Sequence, residues 1–390
     1  MGQDRRAHGA PALSRADQQR PGDFIPVASP DLGGNERRYV DECIDTGWIS
    51  SAGSFVRRFE AAFAAMCGVE HAVAVSSGTA ALHLALLACG IGPGDEVLVP
   101  VWTFAATANA VRYVGARPVL VDVEPATWGM DPAAAARRIT RRTKAIIAVH
   151  LYGRPADVVA LGALARRHRL TLIEDAAEAH GAAIGDRRVG SFGAVGCFST
   201  FANKIITTGE GGVLVTGSRR VADLTRMLRD HGMSRRKYWH PTIGFSYGLG
   251  NLQAAVGVAQ LERFDAVLRR KDAIAERYTT ALAGVPGVAP MPVRAGTRPV
   301  CWLYSILVEP RAFGMTREAL MRRLEAAAIE TRPFFYPLHR MPPFRERTRF
   351  PVAERLAARG LNLPSGPMIA DAAIDRVAST IRTLQRTARG

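Results

Sequence analysis

Glu174-Asp175-Ala176-Ala177-Glu178 and Asn203-Lys204-Ile205-Ile206-Thr207-Thr208-Gly209-Glu210-Gly211-Gly212 are the two halves of the stretch, Leu172 to Val215, on which the reading of this chain turns. The first half closes an apolar, strand-like run. Between the halves lie a glycine-rich connection and Cys197-Phe198-Ser199. A carboxylate at the end of a buried strand and a lysine beside a glycine turn are the pair that a pyridoxal-phosphate site requires. Lysine supplies an amine that condenses with an aldehyde. The carboxylate keeps a pyridine nitrogen protonated, so that the ring becomes an electron sink.

Outward from this stretch, short apolar runs alternate with helical patterns. Strands are predicted at His71–Val75, Glu96–Val101, Arg117–Val123, Ala145–Leu151 and Thr171–Asp175, with shorter ones at Cys197–Thr200 and Gly212–Thr216. Helices are predicted between them at Ala80–Cys89, Phe104–Tyr113, Pro132–Ile139 and Asp157–His168. That alternation predicts an α/β fold, a mostly parallel sheet with helices on both faces. Ser76-Ser77-Gly78-Thr79 follows the first strand and opens a helix. Its small residues let the backbone approach an anion, and the helix N-terminus favours a phosphate. Asp175 stands where open α/β sheets place their ligands. Glu178 shares its face if a helical turn begins there. Taken singly, each feature has a plainer reading: an N-cap without a ligand, a solvated strand-end Asp, a surface lysine. Their order on one fold type favours the cofactor.

Residues 1–23 are polar, carry Arg5, Arg6, Arg15 and Arg20, lack the apolar core of a signal peptide, and read as a mobile tail. Residues 24–265 are expected to form the large cofactor-binding domain, and 266–390 a smaller α+β domain. One long helix, Gln253–Ala283, is expected to carry the chain from one to the other, with Val285–Pro299 as a linker. Phe55, Phe59 and Phe63 recur every fourth residue and predict a buried helix stripe.

The formal net charge is +16, from 51 basic and 35 acidic residues. The arginines are scattered, as in Arg137-Arg138 and Arg269-Arg270, and no basic run is interleaved with aromatics, so nucleic acid is not the expected partner. An anionic small substrate accounts for the charge equally well. The five cysteines are widely spaced without a CxxC pair, which argues against a disulfide framework or a metal site and for a reducing cytoplasm. The longest apolar run, Thr79 to Cys89, is interrupted by His83 and falls short of the roughly 18 residues of a membrane span.

The quoted segments, together with Trp48-Ile49-Ser50-Ser51, Thr103-Phe104-Ala105-Ala106-Thr107-Ala108-Asn109-Ala110 and His150-Leu151-Tyr152-Gly153, resemble the sugar aminotransferases of the DegT/DnrJ/EryC1/StrS family, which are fold-type I pyridoxal-phosphate enzymes. The resemblance runs from Ile25 to about Leu384. Arg229-Asp230-His231-Gly232-Met233-Ser234, Tyr238-Trp239-His240-Pro241 and Thr331-Arg332-Pro333-Phe334-Phe335-Tyr336-Pro337-Leu338-His339 resemble the subgroup that makes GDP-perosamine. It implies that Lys204 binds the cofactor covalently and moves the proton. It implies that Asp175 pairs with the pyridine nitrogen, Glu178 sits by the ring hydroxyl, Phe104 stacks on the ring, and Gly78, Thr79 and Ser199 hold the phosphate. L-Glutamate is the implied amino donor and GDP-4-keto-6-deoxy-D-mannose, aminated at C4, the expected acceptor. Another GDP-, dTDP- or UDP-linked ketosugar is the alternative.

The resemblance also implies a cytoplasmic homodimer with shared active sites. Candidate substrate contacts are Trp48, Trp239, His240, Arg332 and His339. The last two either meet a diphosphate or line the domain joint. Related sugar 3-dehydratases carry histidine in place of Lys204, so the lysine favours transfer over elimination. Ser246 and Gly248 depart from the family, which has Asn and Arg there. That Asn reaches the phosphate from the neighbouring subunit, so Ser246 is the corresponding cofactor contact, with a shorter reach. A regulator that binds the cofactor without turnover is the remaining class, and no helix-turn-helix module is evident for it.

Overall fold

The computed structural model describes residues 24–388, and the tail expected over residues 1–23 lies outside them. The strands in chain order are β1 (His71–Val75), β2 (Glu96–Pro100), β3 (Arg117–Val121), β4 (Thr143–Val149), β5 (Thr171–Asp175), β6 (Ala183–Ile184), β7 (Arg187–Arg188), β8 (Val195–Ser199) and β9 (Gly212–Thr216). Seven of them form the central sheet in the order β1-β9-β8-β5-β4-β2-β3. All neighbours pair in parallel except β9, which is antiparallel to both β1 and β8.

Alternation along the strands feeds two cores. Leu98, Ile146, Ala148 and Leu172 face Met130, Ala135, Leu161 and Ala165 on one side. Val97, Val99, Ile147 and Ile173 belong to the larger core on the other side, with Phe55, Phe59 and Phe63. All five residues of β2 and of β9 are buried, as strands covered on both faces must be. Because β9 alone is reversed, the C-terminal ends of β1, β2, β4, β5 and β8 and the start of β9 meet at one edge. Open α/β sheets bind their ligands at that edge.

Downstream, β10 (Val288–Pro290), β11 (Thr297–Arg298), β12 (Tyr304–Val308), β13 (Arg332–Pro333) and β14 (Gly360–Leu363) follow. Four of these build an antiparallel sheet, β10-β12-β14-β13, over a separate core that includes Ile274, Tyr278, Ile306, Leu324 and Ile381. The segment read as a linker therefore holds two strands, one of which, β11, pairs with β6. The helix expected over Gln253–Ala283 is two helices, Asn251–Glu262 and Phe264–Ala281. Arg263 leaves helical geometry between them at φ −106° and ψ 6°. Its guanidinium is held by both oxygens of Asp31 at 3.0 Å, a tertiary contact that local pattern does not report.

Candidate active site

Lys204 lies on the connection between β8 and β9. The two strands are antiparallel neighbours, so the connection folds back on itself. Thr208 N–H donates to Thr200 O at 2.8 Å, Thr200 N–H to Gly211 O at 2.9 Å, and the two threonine hydroxyls meet at 2.6 Å. This closes the loop around the lysine, whose side chain is 11% exposed. Nζ lies 3.6 Å from Glu178 Oε1 and 4.0 Å from the centre of the Trp302 ring. Burial lowers the basicity of the amine; the Glu178 and Asp175 carboxylates oppose that, and Arg332 adds to it. The amine therefore gives up its proton more readily than a surface lysine.

Asp175 ends β5 and is buried. Its Oδ2 accepts from Thr107 Oγ1 at 2.7 Å, and its Oδ1 from Ala177 N–H at 3.2 Å. Thr107 is itself 2.9 Å from Thr103 Oγ1. Burial raises the Asp175 pKa, and the Thr107 and Ala177 hydrogen bonds and the charge of Lys204 hold it down. Burial likewise raises Glu178 against the pull of Lys204. Glu178 Oε2 accepts from Tyr152 N–H at 2.8 Å. Tyr152 reaches that position with φ at 53°, a left-handed conformation uncommon for a side chain of this size. Its hydroxyl accepts from Phe335 N–H at 2.8 Å, and its ring lies parallel to that of Trp302. The site is thus tied to the segment after β13.

Across the cavity, Ser77 caps the helix Gly78–Ala88 by accepting from Ala80 N–H at 3.0 Å. The turn is kept bare by close approach. A Cβ on Gly78 would come within 2.8 Å of Ser199 Cβ, and one on Gly212 within 2.4 Å of the Ser77 carbonyl. Glycine at both places lets the loop end, β8 and the helix start converge. The result is a cavity of roughly 390 Å³ lined by Gly78, Thr79, Asp175, Glu178, Ser199 and Lys204, among others. One end is a helix N-terminus, the middle is two buried carboxylates, and an amine of lowered basicity stands opposite.

The comparisons agree with that arrangement. A model of the DegT/DnrJ/EryC1/StrS aminotransferase family matches residues 30–382. The chain belongs to this family. It is 48% identical over 361 residues to a GDP-perosamine synthase of Caulobacter vibrioides, covering 92% of this chain and 97% of that protein. It is 44% identical to a GDP-perosamine synthase of Vibrio cholerae, over 92% and 98% of the two chains. Among solved structures, S. venezuelae DesV in complex with a ketimine intermediate superposes with a TM-score of 0.87 at 38% identity, over 93% of this chain and 98% of that one.

The residues expected to serve the aminotransferase chemistry fall into two groups. Phe104 lines the cavity as well, 58% exposed and packed against Phe335 at 5.4 Å between ring centres; Arg332 lines it from β13. Trp48, Trp239, His240 and Ser246 are exposed on the same chain and do not line its cavity. His339 does not line it either. Its ring is buried against Phe350, with Nε2 3.1 Å from Glu354 Oε1. Sequence reasoning assigned no role to Thr107, Tyr152, Asn203, Trp302 or Asn362. Thr107 was reachable in principle, since Thr103 and Thr107 stand one helical turn apart. Trp302 had no signal, because only the tertiary fold brings it to Lys204.

Proposed function

We propose that this family member is a pyridoxal-phosphate-dependent aminotransferase that moves the amino group of L-glutamate to C4 of GDP-4-keto-6-deoxy-D-mannose, giving GDP-perosamine. The observation that carries the reading is one cavity holding the buried Lys204 amine, the Asp175 carboxylate and the bare helix turn at Gly78. The perosamine synthases among the relatives supply the substrate class.

The residues fit the cofactor. Gly78, Thr79 and Ser199 would hold its phosphate, Asp175 its ring nitrogen, Glu178 its ring hydroxyl, and the exposed face of Phe104 its ring. When bound, pyridoxal phosphate supplies an aldehyde that captures the amino nitrogen and a protonated ring that accepts electrons. The chain's own part is to place charge and move protons. Asp175, fixed by Thr107 and Ala177, presents its carboxylate in a set orientation. Lys204 acts as general base and acid at the substrate carbon, because burial brings its amine closer to the working pH. Arg332 offers the donor or acceptor anion a guanidinium at the cavity wall.

A cytoplasmic homodimer completes this reading, with Ser246, Trp48, Trp239 and His240 of each subunit serving the partner's cavity. The exposure of Trp48, Tyr238, Trp239 and Ile243 supports it. Another nucleotide ketosugar is the second reading, favoured by the smaller side chains at Ser246 and Gly248. Incubation with glutamate and a panel of GDP-, dTDP- and UDP-linked 4-ketosugars tests both. Product only from the GDP-mannose derivative supports the first. Turnover of a different ketosugar alone supports the second, and no turnover of any contradicts both.

A further inference from the structure

Four of the 51 cationic residues of this chain are lysines, at positions 144, 204, 237 and 271. Lys271 is buried, the Lys204 side chain is 11% exposed, and both converge on Trp302. The Lys204 Nζ sits 4.0 Å over the centre of the indole ring. From the helix Phe264–Ala281, Lys271 Nζ donates to Trp302 O at 3.0 Å and to Ser365 O. No carboxylate pairs with Lys271 among the described residues. A buried ammonium held only by carbonyls is costly, so an apolar residue of the same length would serve simple packing better. The Trp302 Nε1–H donates to Asn203 O at 2.8 Å, pinning the ring to the residue before Lys204. Tyr152, whose N–H holds Glu178, lies parallel to the indole at 6.2 Å. Trp302 is therefore fixed at its ring N–H, beside the Tyr152 ring and through its backbone carbonyl, with the Lys204 amine over its ring.

We propose that Trp302 seats the ammonium of Lys204 whenever that amine is free, and that Lys271 is the positioning residue that holds Trp302 in place. The inference rests on the transfer reading above, in which Lys204 must let go of the cofactor once per half-cycle. A released ammonium beside an apolar ring needs a place that stabilises charge without capturing it. Glu178 at 3.6 Å supplies one side and the indole face the other. The remaining ionisable groups around the amine are Asp175 and Arg332, with His180 close by and held neutral by burial, its pKa pushed down to about 3.

The test uses cofactor-free full-length protein. Each lysine is acetylated by brief pulses across a pH series and quantified by peptide mass spectrometry, which gives the titration of Lys204 by itself. Trp302→Leu is expected to label Lys204 about tenfold faster at a pH below its midpoint, the equivalent of about 1.4 kcal/mol of lost cation–π stabilisation. Trp302→Phe keeps a ring and should stay within about threefold of the parent. Lys271→Met should show an intermediate gain that disappears in the Trp302→Leu background, since both act through one ring. Should Trp302→Leu fail to fold, Lys271→Met carries the test.

Lys204 labelling at the parent rate in Trp302→Leu, or in a folded Lys271→Met where that arm stands alone, overturns the proposal. In that event, cofactor absorbance that still depends on Lys204 would leave the transfer reading standing. Loss of that dependence in the parent protein would instead remove the reading itself.

Discussion

At the scale of single residues, two carboxylates and one lysine share a cavity in which burial opposes every charge. Burial pushes the Asp175 pKa up, and the Thr107 hydroxyl is first among the contacts that bring it down. Thr107→Val is nearly isosteric and removes one hydrogen bond to a charged group, an interaction worth about 1.5–3 kcal/mol. Cofactor affinity of the apoprotein should fall by at least about tenfold in a fluorescence titration, with the fold intact by circular dichroism. An unchanged affinity would show that Asp175 needs no such partner. The sequence made Lys204 and Asp175 legible because the chemistry demands those residue types. Thr107 and Trp302 were hidden because their value lies in whom they touch, and threonine and tryptophan each have many other uses.

Elements set where those residues meet. The alternating strand and helix pattern was readable, and with it the edge that carries the site. Contacts between distant segments were not. Arg263 breaks a predicted helix because Asp31 holds it, and the presumed linker pairs as strands because β6 and β12 offer free edges. The segment after β13 is another such case. Leu338 N–H donates to Val101 O at 2.7 Å and Trp102 Nε1–H to Phe335 O at 2.9 Å, strapping it to the large sheet.

Glu354 locks the far end of the strap. Arg349, the Phe350 N–H and Arg340 hold its carboxyl down to about 2, against the raising effect of burial. Its native pKa is lowered, so its contribution is complete above the unfolded carboxyl value and is lost as pH falls toward about 2. Glu354→Gln should lower the melting temperature at neutral pH. The gap from the parent should shrink steadily below about pH 4.5, as the parent carboxyl protonates. A gap that does not change with pH would assign the loss to packing alone.

Across the whole molecule, several residues with family-linked roles stand outside the cavity of their own chain. Trp48, Trp239, His240 and Ser246 form part of an exposed, partly aromatic surface. In the proposed dimer, a second copy of the 42.0 kDa chain brings them to a site. Sedimentation velocity of the holoprotein is expected to show a dimer. Ser246→Asn is then expected to slow cofactor loss on dialysis by a few fold without changing the mass. A stable monomer with full activity would contradict the shared site. Among the described residues no helix is long and apolar enough to cross a membrane.

The proposed chemistry requires that one particular amine, that of Lys204, meet the cofactor. Borohydride reduction of the protein mixed with pyridoxal phosphate, followed by peptide mass spectrometry, reads that directly. The prediction is a single phosphopyridoxyl adduct on Lys204, abolished together with the visible absorbance in Lys204→Ala. An adduct at Lys144, Lys237 or Lys271 in its place, or an absorbance that survives Lys204→Ala, would contradict it.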